Sequence, residues 1–168
     1  FCHHKEKLLN CIEYVNFSLS RFFDAIKNQP WFNNTLFVIT ADHTAPNIEN
    51  EAPSSSMDDY RIPIVFYKSG STSLKGTSNI IANQIDILPS ILSMVHYPYP
   101  YYSMGTSLFT SSNKRCAINY NGNIYQYIDS TFCYQFNGES AVAFYNWQSD
   151  SALLHNLYHG DTNQNIIN

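Results

Sequence analysis

Charged residues are scarce in this chain of 168 residues. Lysine, arginine, aspartate and glutamate together make up 13% of the sequence, where about a quarter is usual. The net charge is -4, and no long run of like charges is present. These features argue against a nucleic-acid partner, which needs a basic surface, and leave a metal ion or an anionic small substrate as ligands.

Three further absences narrow the class of protein. The four cysteines include no CxxC pair, which argues against a zinc ribbon or a thioredoxin-type motif. No stretch approaches the roughly 18 consecutive apolar residues of a membrane span. The chain begins without a methionine and without the charged and apolar regions of a signal peptide. We expect it to be the carboxyl-terminal part of a longer protein.

Apolar residues make up 44% of the sequence, which is ample material for a folded core. The spacing of apolar side chains predicts an amphipathic helix over residues 5–28. Apolar runs predict strands over residues 35–40 and 61–67, and a second helix follows over residues 83–95. This alternation indicates an α/β domain whose sheet is covered by helices on both faces.

Short strands replace this pattern beyond Arg115. They are separated by hairpin signals such as Asn121-Gly122-Asn123. The four segments are residues 116–120, 124–128, 131–136 and 141–145. Their spacing and composition predict an antiparallel meander.

The chain is predicted to divide into three parts. Residues 1–112 belong to the α/β domain, residues 113–150 form the meander subdomain, and residues 151–168 form a terminal helix and tail. Cys116 and Cys133 lie on two of the predicted meander strands. They would form a disulfide if those strands were neighbours, and the alternative is a pair of buried free thiols.

Asp42 and His43 come directly after the first predicted strand. The carboxyl end of an apolar strand is where the chemistry of open α/β sheets usually occurs. A carboxylate oxygen and a neutral imidazole nitrogen suit Mn²⁺ or Zn²⁺, so the pair is predicted to be half of a metal site. A polar loop over residues 44–59 follows and is placed to fold over it. The alternative is a capping aspartate and a surface histidine.

The segments that carry a family resemblance are residues 14–23, 29–44, 61–67, 84–92 and 102–109. The last two read Gln-Ile-Asp-Ile-Leu-Pro-Ser-Ile-Leu and Tyr-Ser-Met-Gly-Thr-Ser-Leu-Phe. Their order, across roughly the first two thirds of the chain, resembles the sulfatase-type domain of lipoteichoic acid synthase-like proteins. Those proteins belong to the alkaline phosphatase superfamily.

This resemblance implies an α/β/α sandwich of the alkaline phosphatase type, incomplete here, with a smaller antiparallel sheet at the carboxyl end. It implies transfer or hydrolysis of phosphate or sulfate esters, with phosphoglycerol transfer as the best-known case. The family's adjacent Asp-His pair of metal ligands matches Asp42 and His43. The resemblance implies a divalent metal, Mn²⁺ first, with Zn²⁺, Mg²⁺ and Ca²⁺ as alternatives.

In the family, the threonine or serine nucleophile precedes the segment that corresponds to the start of this chain at Phe1. We therefore expect no turnover from this chain by itself. The substrate would be an anionic phosphate or sulfate ester, with lipid-linked esters among the candidates. Arg61 is a candidate for binding that anion, and the alternative for Arg61 is an ion pair with Asp58 or Asp59. The resemblance implies an extracytoplasmic parent protein, membrane-anchored or periplasmic, in the cell envelope.

Two other functions fit the same residues. The first is a non-catalytic binding module that keeps the fold and uses the tyrosine-rich residues 97–102 and the antiparallel sheet as a binding surface. The second is a different enzyme of the same superfamily, a phosphoethanolamine transferase or an arylsulfatase.

Overall fold

The computed structural model describes residues 7–44, 57–112 and 114–159. These residues form two compact units. The first unit holds the chain up to Ala41 and Pro63–Gly76, and the second holds Asp42–Ile62 and the chain from Thr77 onward. Most of the loop predicted over residues 44–59 lies outside the described residues.

The first unit is a long helix with a pair of strands. Helix α1 spans Lys7–Ile26, strand β1 spans Leu36–Thr40 and strand β2 spans Ile64–Lys68. The strands pair antiparallel, from Leu36 opposite Lys68 to Thr40 opposite Ile64. The predicted helix and both predicted strands are therefore confirmed within the described residues, with ends shifted by at most three residues. Among the described residues this sheet has two strands.

Aromatic side chains hold α1 against this strand pair. Phe23 of α1 lies edge-on to Phe37 of β1 and to Tyr67 of β2, with ring centroids 5.3 and 5.7 Å away. Phe32, in the connection between α1 and β1, is buried and packs on the same two rings. Edge-to-face geometry adds to the burial of these rings, so the cluster explains why the connection after α1 is rich in aromatic residues.

The second unit contains a short 3₁₀ helix, Gln84–Asp86, that runs directly into helix α2, Ile87–Met94. Together they confirm the predicted helix over residues 83–95. The Ser90 hydroxyl donates to the Asp86 carbonyl oxygen at 2.6 Å and accepts the N–H of Leu108 at 2.8 Å. This buried serine attaches α2 to the turn that contains Gly105.

The four-stranded sheet of the second unit is a simple antiparallel meander, as predicted. Its strands are β3 (Ala117–Asn121), β4 (Ile124–Ile128), β5 (Phe132–Phe136) and β6 (Ala141–Asn146), adjacent in chain order. Gly122 and Asn123 have φ angles of 57° and 68° between β3 and β4. Positive φ at both positions is the requirement of a type I′ turn, which matches the twist of the strands it joins.

One face of this sheet forms the core of the second unit. Ile128 and Cys133, opposite each other on β4 and β5, are buried with Met57 and Leu153. Burial raises the pKa of the Cys133 thiol to about 11. The hydrogen bond with Gln126 partly opposes this increase, and the charge of Asp129 adds a smaller one. Cys133 is therefore a packing residue of the core.

Cys116 and Cys133 are both free thiols. Cys116 precedes β3 and Cys133 lies on β5, and β4 separates these two strands. Of the two outcomes that the sequence allowed for this pair, the structure shows the free thiols.

The predicted terminal helix is wrong over residues 151–159, which form turns and extended chain. The main-chain N–H groups of this segment have other acceptors. Leu154 and His155 donate to the Asp150 carboxylate, and Leu157 donates to the carbonyl oxygen of Phe144 on β6. These side-chain and long-range acceptors compete with the helical pattern. Residues 160–168 of the predicted helix and tail lie outside the described residues.

Candidate metal centre

Asp42 and His43, the predicted ligand pair, follow the last residue of β1 after a single alanine. The structure brings their side chains together, with 3.6 Å between Asp42 Oδ2 and His43 Nε2. The side chains are 88% and 76% exposed, respectively. A carboxylate oxygen and an imidazole nitrogen therefore face the same open space.

A hydrogen bond to the main chain sets the orientation of the His43 ring. His43 Nδ1 lies 2.6 Å from the carbonyl oxygen of Thr44. Because a carbonyl oxygen only accepts hydrogen bonds, Nδ1 carries the hydrogen. In the neutral ring the lone pair is then on Nε2, the nitrogen that faces Asp42. Histidines that bind a metal through one ring nitrogen usually donate the N–H of the other ring nitrogen to a carbonyl, a carboxylate or a water molecule.

The Asp42 carboxylate is held by its neighbour in the chain. The His43 N–H donates to Asp42 Oδ1 at 3.0 Å, which leaves Oδ2 as the oxygen that faces the imidazole. The Thr44 hydroxyl in turn donates to the carbonyl oxygen of Asp59 at 2.6 Å. The segment thus presents one oxygen and one nitrogen in a defined direction.

This donor pair fits a divalent metal. Two ligand atoms that each lie about 2.0 to 2.2 Å from one ion are roughly 3 to 3.5 Å apart, close to the 3.6 Å observed here. A hard carboxylate oxygen with a neutral imidazole nitrogen suits Mn²⁺ or Zn²⁺. Within residues 7–44, 57–112 and 114–159, no group of three or more His, Cys, Asp or Glu side chains is arranged to hold a metal. The described part of the chain therefore offers two donors.

A second Asp–His pair in the structure shows that the distance alone does not define a ligand pair. Asp150 Oδ2 and His155 Nδ1 are also 3.6 Å apart, but the Asp150 side chain is only 13% exposed. Its carboxylate accepts the N–H groups of His155 and Leu154 at 2.7 and 3.1 Å. These backbone hydrogen bonds, that of His155 foremost, lower the Asp150 pKa. Both oxygens of the Asp150 carboxylate thus accept main-chain hydrogen bonds within its turn, whereas Asp42 Oδ2 faces the imidazole and open space.

Arg61, the predicted anion-binding residue, is exposed and follows the short 3₁₀ helix Met57–Tyr60. It belongs to the same unit as Asp42 and His43. Its role in substrate binding stays a prediction.

The sequence reasoning missed the roles of Gln84, which contacts the ligand segment, and of Asp86, which anchors the 3₁₀ helix that carries Gln84. Gln84 Nε2 donates to the carbonyl oxygen of Asp42 at 3.1 Å. Asp86, which is buried, accepts the N–H of Asn83 at 2.9 Å and the N–H of Thr106 at 2.7 Å. Both residues stand in the motif over residues 84–92, and that motif was the only signal available, because no local pattern reports a contact between residues 42 positions apart.

Comparison with solved structures identifies the class of fold. A protein of the alkaline phosphatase superfamily from Vibrio parahaemolyticus superposes with a TM-score of 0.79 at 20% sequence identity, over 96% of this chain and 40% of that one. The chain thus spans two fifths of that structure's length, and its alkaline phosphatase-like α/β fold confirms the predicted fold class. In the described residues the carboxyl-terminal antiparallel sheet has four strands and is larger than the two-stranded sheet of the first unit.

The sequence itself identifies the family. The model of the Sulfatase family matches residues 3–97, more than half of the chain, and the protein belongs to that family. The predicted sulfatase-type domain is confirmed, and its fold is that of the solved alkaline phosphatase superfamily structure. No curated protein matches the chain. None of the helices in the described ranges is long and apolar enough to cross a membrane.

Proposed function

We propose that this chain supplies two ligands, Asp42 and His43, to the divalent-metal site of an enzyme that transfers or hydrolyses phosphate or sulfate esters. The observation that carries the proposal is the 3.6 Å approach of Asp42 Oδ2 and His43 Nε2 in an exposed position. The bond from His43 Nδ1 to the Thr44 carbonyl supports it, because this bond leaves Nε2 as the ligand nitrogen.

Membership of the Sulfatase family supports ester chemistry of this kind. When bound, a divalent ion would polarise the ester oxygen and favour the deprotonated nucleophile. Asp42 would contribute a negative charge and His43 a neutral donor. The further ligands and the threonine or serine nucleophile would come from residues outside the described chain, since structural and catalytic sites use three or four protein ligands.

Within this chemistry we propose phosphoglycerol transfer with Mn²⁺ in the cell envelope, on a lipid-linked donor, as the specific activity. The resemblance of residues 29–44 and 84–92 to lipoteichoic acid synthase-like proteins supports this choice. Arg61, exposed and in the same unit as the ligand pair, is the proposed contact for the anionic substrate. Phosphoethanolamine transfer and aryl sulfate hydrolysis are the alternatives within the superfamily.

Turnover by the full-length protein tests this proposal. With Mn²⁺ present, phosphatidylglycerol vesicles, nitrophenyl phosphate and nitrophenyl sulfate are offered separately. We expect glycerol phosphate transfer from the vesicles and a loss of roughly a hundredfold or more in Asp42→Ala and His43→Ala. His155→Ala is the matched control, because it removes an exposed histidine at the same distance from an aspartate. Equal turnover in wild type, Asp42→Ala and His43→Ala would disprove the ligand roles.

A non-catalytic binding module is the second candidate function. Exposed aromatic side chains on one face of the four-stranded sheet favour it. Tyr120, Tyr125 and Phe136 are cross-strand neighbours there, with ring centroids 4.7 and 6.4 Å apart, and are 57%, 47% and 42% exposed. A full-length protein with no turnover on any of the three esters and no metal dependence would favour this candidate.

A further inference from the structure

Gln84 makes a side-chain hydrogen bond to the segment that carries the proposed ligands. Its Nε2 donates to the carbonyl oxygen of Asp42 at 3.1 Å. At the other end of the segment, the Thr44 hydroxyl donates to the Asp59 carbonyl oxygen at 2.6 Å. Residues 42–44 are therefore attached at both ends to other parts of the same unit.

The main chain beneath Gln84 is itself well anchored. Gln84 is the first residue of the 3₁₀ helix before α2, and this helix begins with a reciprocal pair of hydrogen bonds between Asn83 and Asp86. The buried Asp86 carboxylate also accepts the N–H of Thr106 at 2.7 Å. The main chain of Gln84 is therefore fixed, and its side-chain amide restricts the position of the Asp42 carbonyl group.

We propose that Gln84 is a positioning residue for the divalent-metal site, and this inference rests on the proposed function of Asp42 and His43. Both ligand side chains are largely exposed, so packing does not fix their directions. Their directions follow instead from the main chain of residues 42–44, and Gln84 holds the carbonyl group of Asp42. Residues that orient ligands in this way commonly change metal affinity by 10- to 100-fold.

Mn²⁺ affinity of the full-length protein, measured by electron paramagnetic resonance titration, tests the proposal. Gln84→Ala removes the side chain, and Gln84→Met keeps its length but has no N–H to donate. We expect both variants to bind Mn²⁺ about 10- to 100-fold more weakly than wild type. Circular dichroism at the titration temperature establishes that each variant is folded. Weaker binding by a folded variant then cannot be attributed to unfolding.

Gln148→Ala is the matched control. Gln148 is also exposed and also donates its side-chain amide to a main-chain carbonyl, that of Ser130, at 2.7 Å. We expect its Mn²⁺ affinity to stay within about twofold of wild type.

The possible outcomes separate this inference from the proposed function. Weaker binding in both Gln84 variants, with Gln148→Ala unchanged, supports the positioning role. Wild-type affinity in the Gln84 variants, with affinity lost in Asp42→Ala, overturns the role of Gln84 alone. Equal weakening in Gln148→Ala overturns it as well, because the effect would then follow from any lost hydrogen bond of this kind. Wild-type affinity in Asp42→Ala overturns both proposals together.

Discussion

Hydrogen bonds to the main chain distinguish the Asp42–His43 pair from the Asp150–His155 pair. Asp42 receives one N–H at Oδ1 and presents Oδ2 beside His43, whereas both oxygens of Asp150 accept main-chain N–H groups. The residue types at positions 42 and 43 could be predicted to meet because they are adjacent after an apolar strand. The contacts that orient them could not be predicted. The Thr44 contact with His43 uses a main-chain carbonyl, which any residue type would supply, and Gln84 lies 42 positions from Asp42.

The reactivity of the Cys133 thiol tests whether this side chain is buried in the core of the second unit. Its pKa of about 11 leaves roughly one thiolate in a thousand at pH 8, and the side chain is fully buried. We expect iodoacetamide to modify Cys133 at least about a hundredfold more slowly than the exposed Cys11, measured by mass spectrometry of the separated peptides. Similar rates for the two thiols would contradict the burial of Cys133.

The Cys133 thiol also makes the free energy of unfolding depend on pH. Its pKa is higher in the folded than in the unfolded chain, so the folded state holds the proton more tightly. The resulting stability is complete below about pH 9 and is lost as the pH rises through about 11. Between these values, the free energy of unfolding of wild type should fall more steeply than that of Cys133→Ala, and equal slopes would contradict the shift.

At the scale of elements, the helix pair over residues 84–94 connects the ligand segment to the turn after residue 102. The alternating and helical patterns were sufficient to predict the helices, the strands and the meander, because each depends on residues close in sequence. They failed at residues 151–159, where the Asp150 carboxylate and the Phe144 carbonyl take the N–H groups that a helix would use. The Phe144 acceptor lies on β6 and is placed only once that strand has formed.

Gly105 tests the contact between that turn and the 3₁₀ helix Gln84–Asp86, which precedes α2. A Cβ at this position would collide with the carbonyl group of Ile85 and the main-chain nitrogen of Asp86. Gly105→Ala must therefore move the turn away from the helix, and we expect it to lower the free energy of unfolding by about 1 to 3 kcal/mol. Chemical denaturation measures this loss.

Thr106→Ala is the control for that substitution. Thr106 is adjacent and exposed, and its main-chain bond to Asp86 does not need its side chain. We expect its stability to stay within about 0.5 kcal/mol of wild type. A Gly105→Ala protein as stable as Thr106→Ala would contradict the close approach of the two elements.

At the scale of the whole molecule, apolar surface is exposed in both units. Ile12, Val15 and Leu19 lie on the predicted apolar stripe of α1 and are 55%, 55% and 39% exposed. Side chains of this kind at three- and four-residue spacing normally face a core. The sequence predicted the stripe correctly but contained no information on what covers it, since that depends on groups beyond this helix.

We expect the 168-residue chain, expressed alone, to self-associate through this stripe. The double variant Val15→Glu, Leu19→Glu should shift the chain toward the monomer in sedimentation velocity experiments, because it places two charges on the apolar surface. A control with two glutamates at the exposed positions Asn16 and Ser20, off the predicted stripe, should not. A monomeric wild-type chain would contradict the prediction.

The metal stoichiometry of the full-length protein tests the central claim most directly. Plasma mass spectrometry would be applied to purified wild type, Asp42→Ala and His43→Ala, with Asp24→Ala as the control because Asp24 is an exposed aspartate paired with Lys27. The ligand roles of Asp42 and His43 predict bound Mn²⁺ or Zn²⁺ in wild type and in Asp24→Ala, and loss of most of that metal in the other two variants. Unchanged metal content in Asp42→Ala and His43→Ala would contradict the claim.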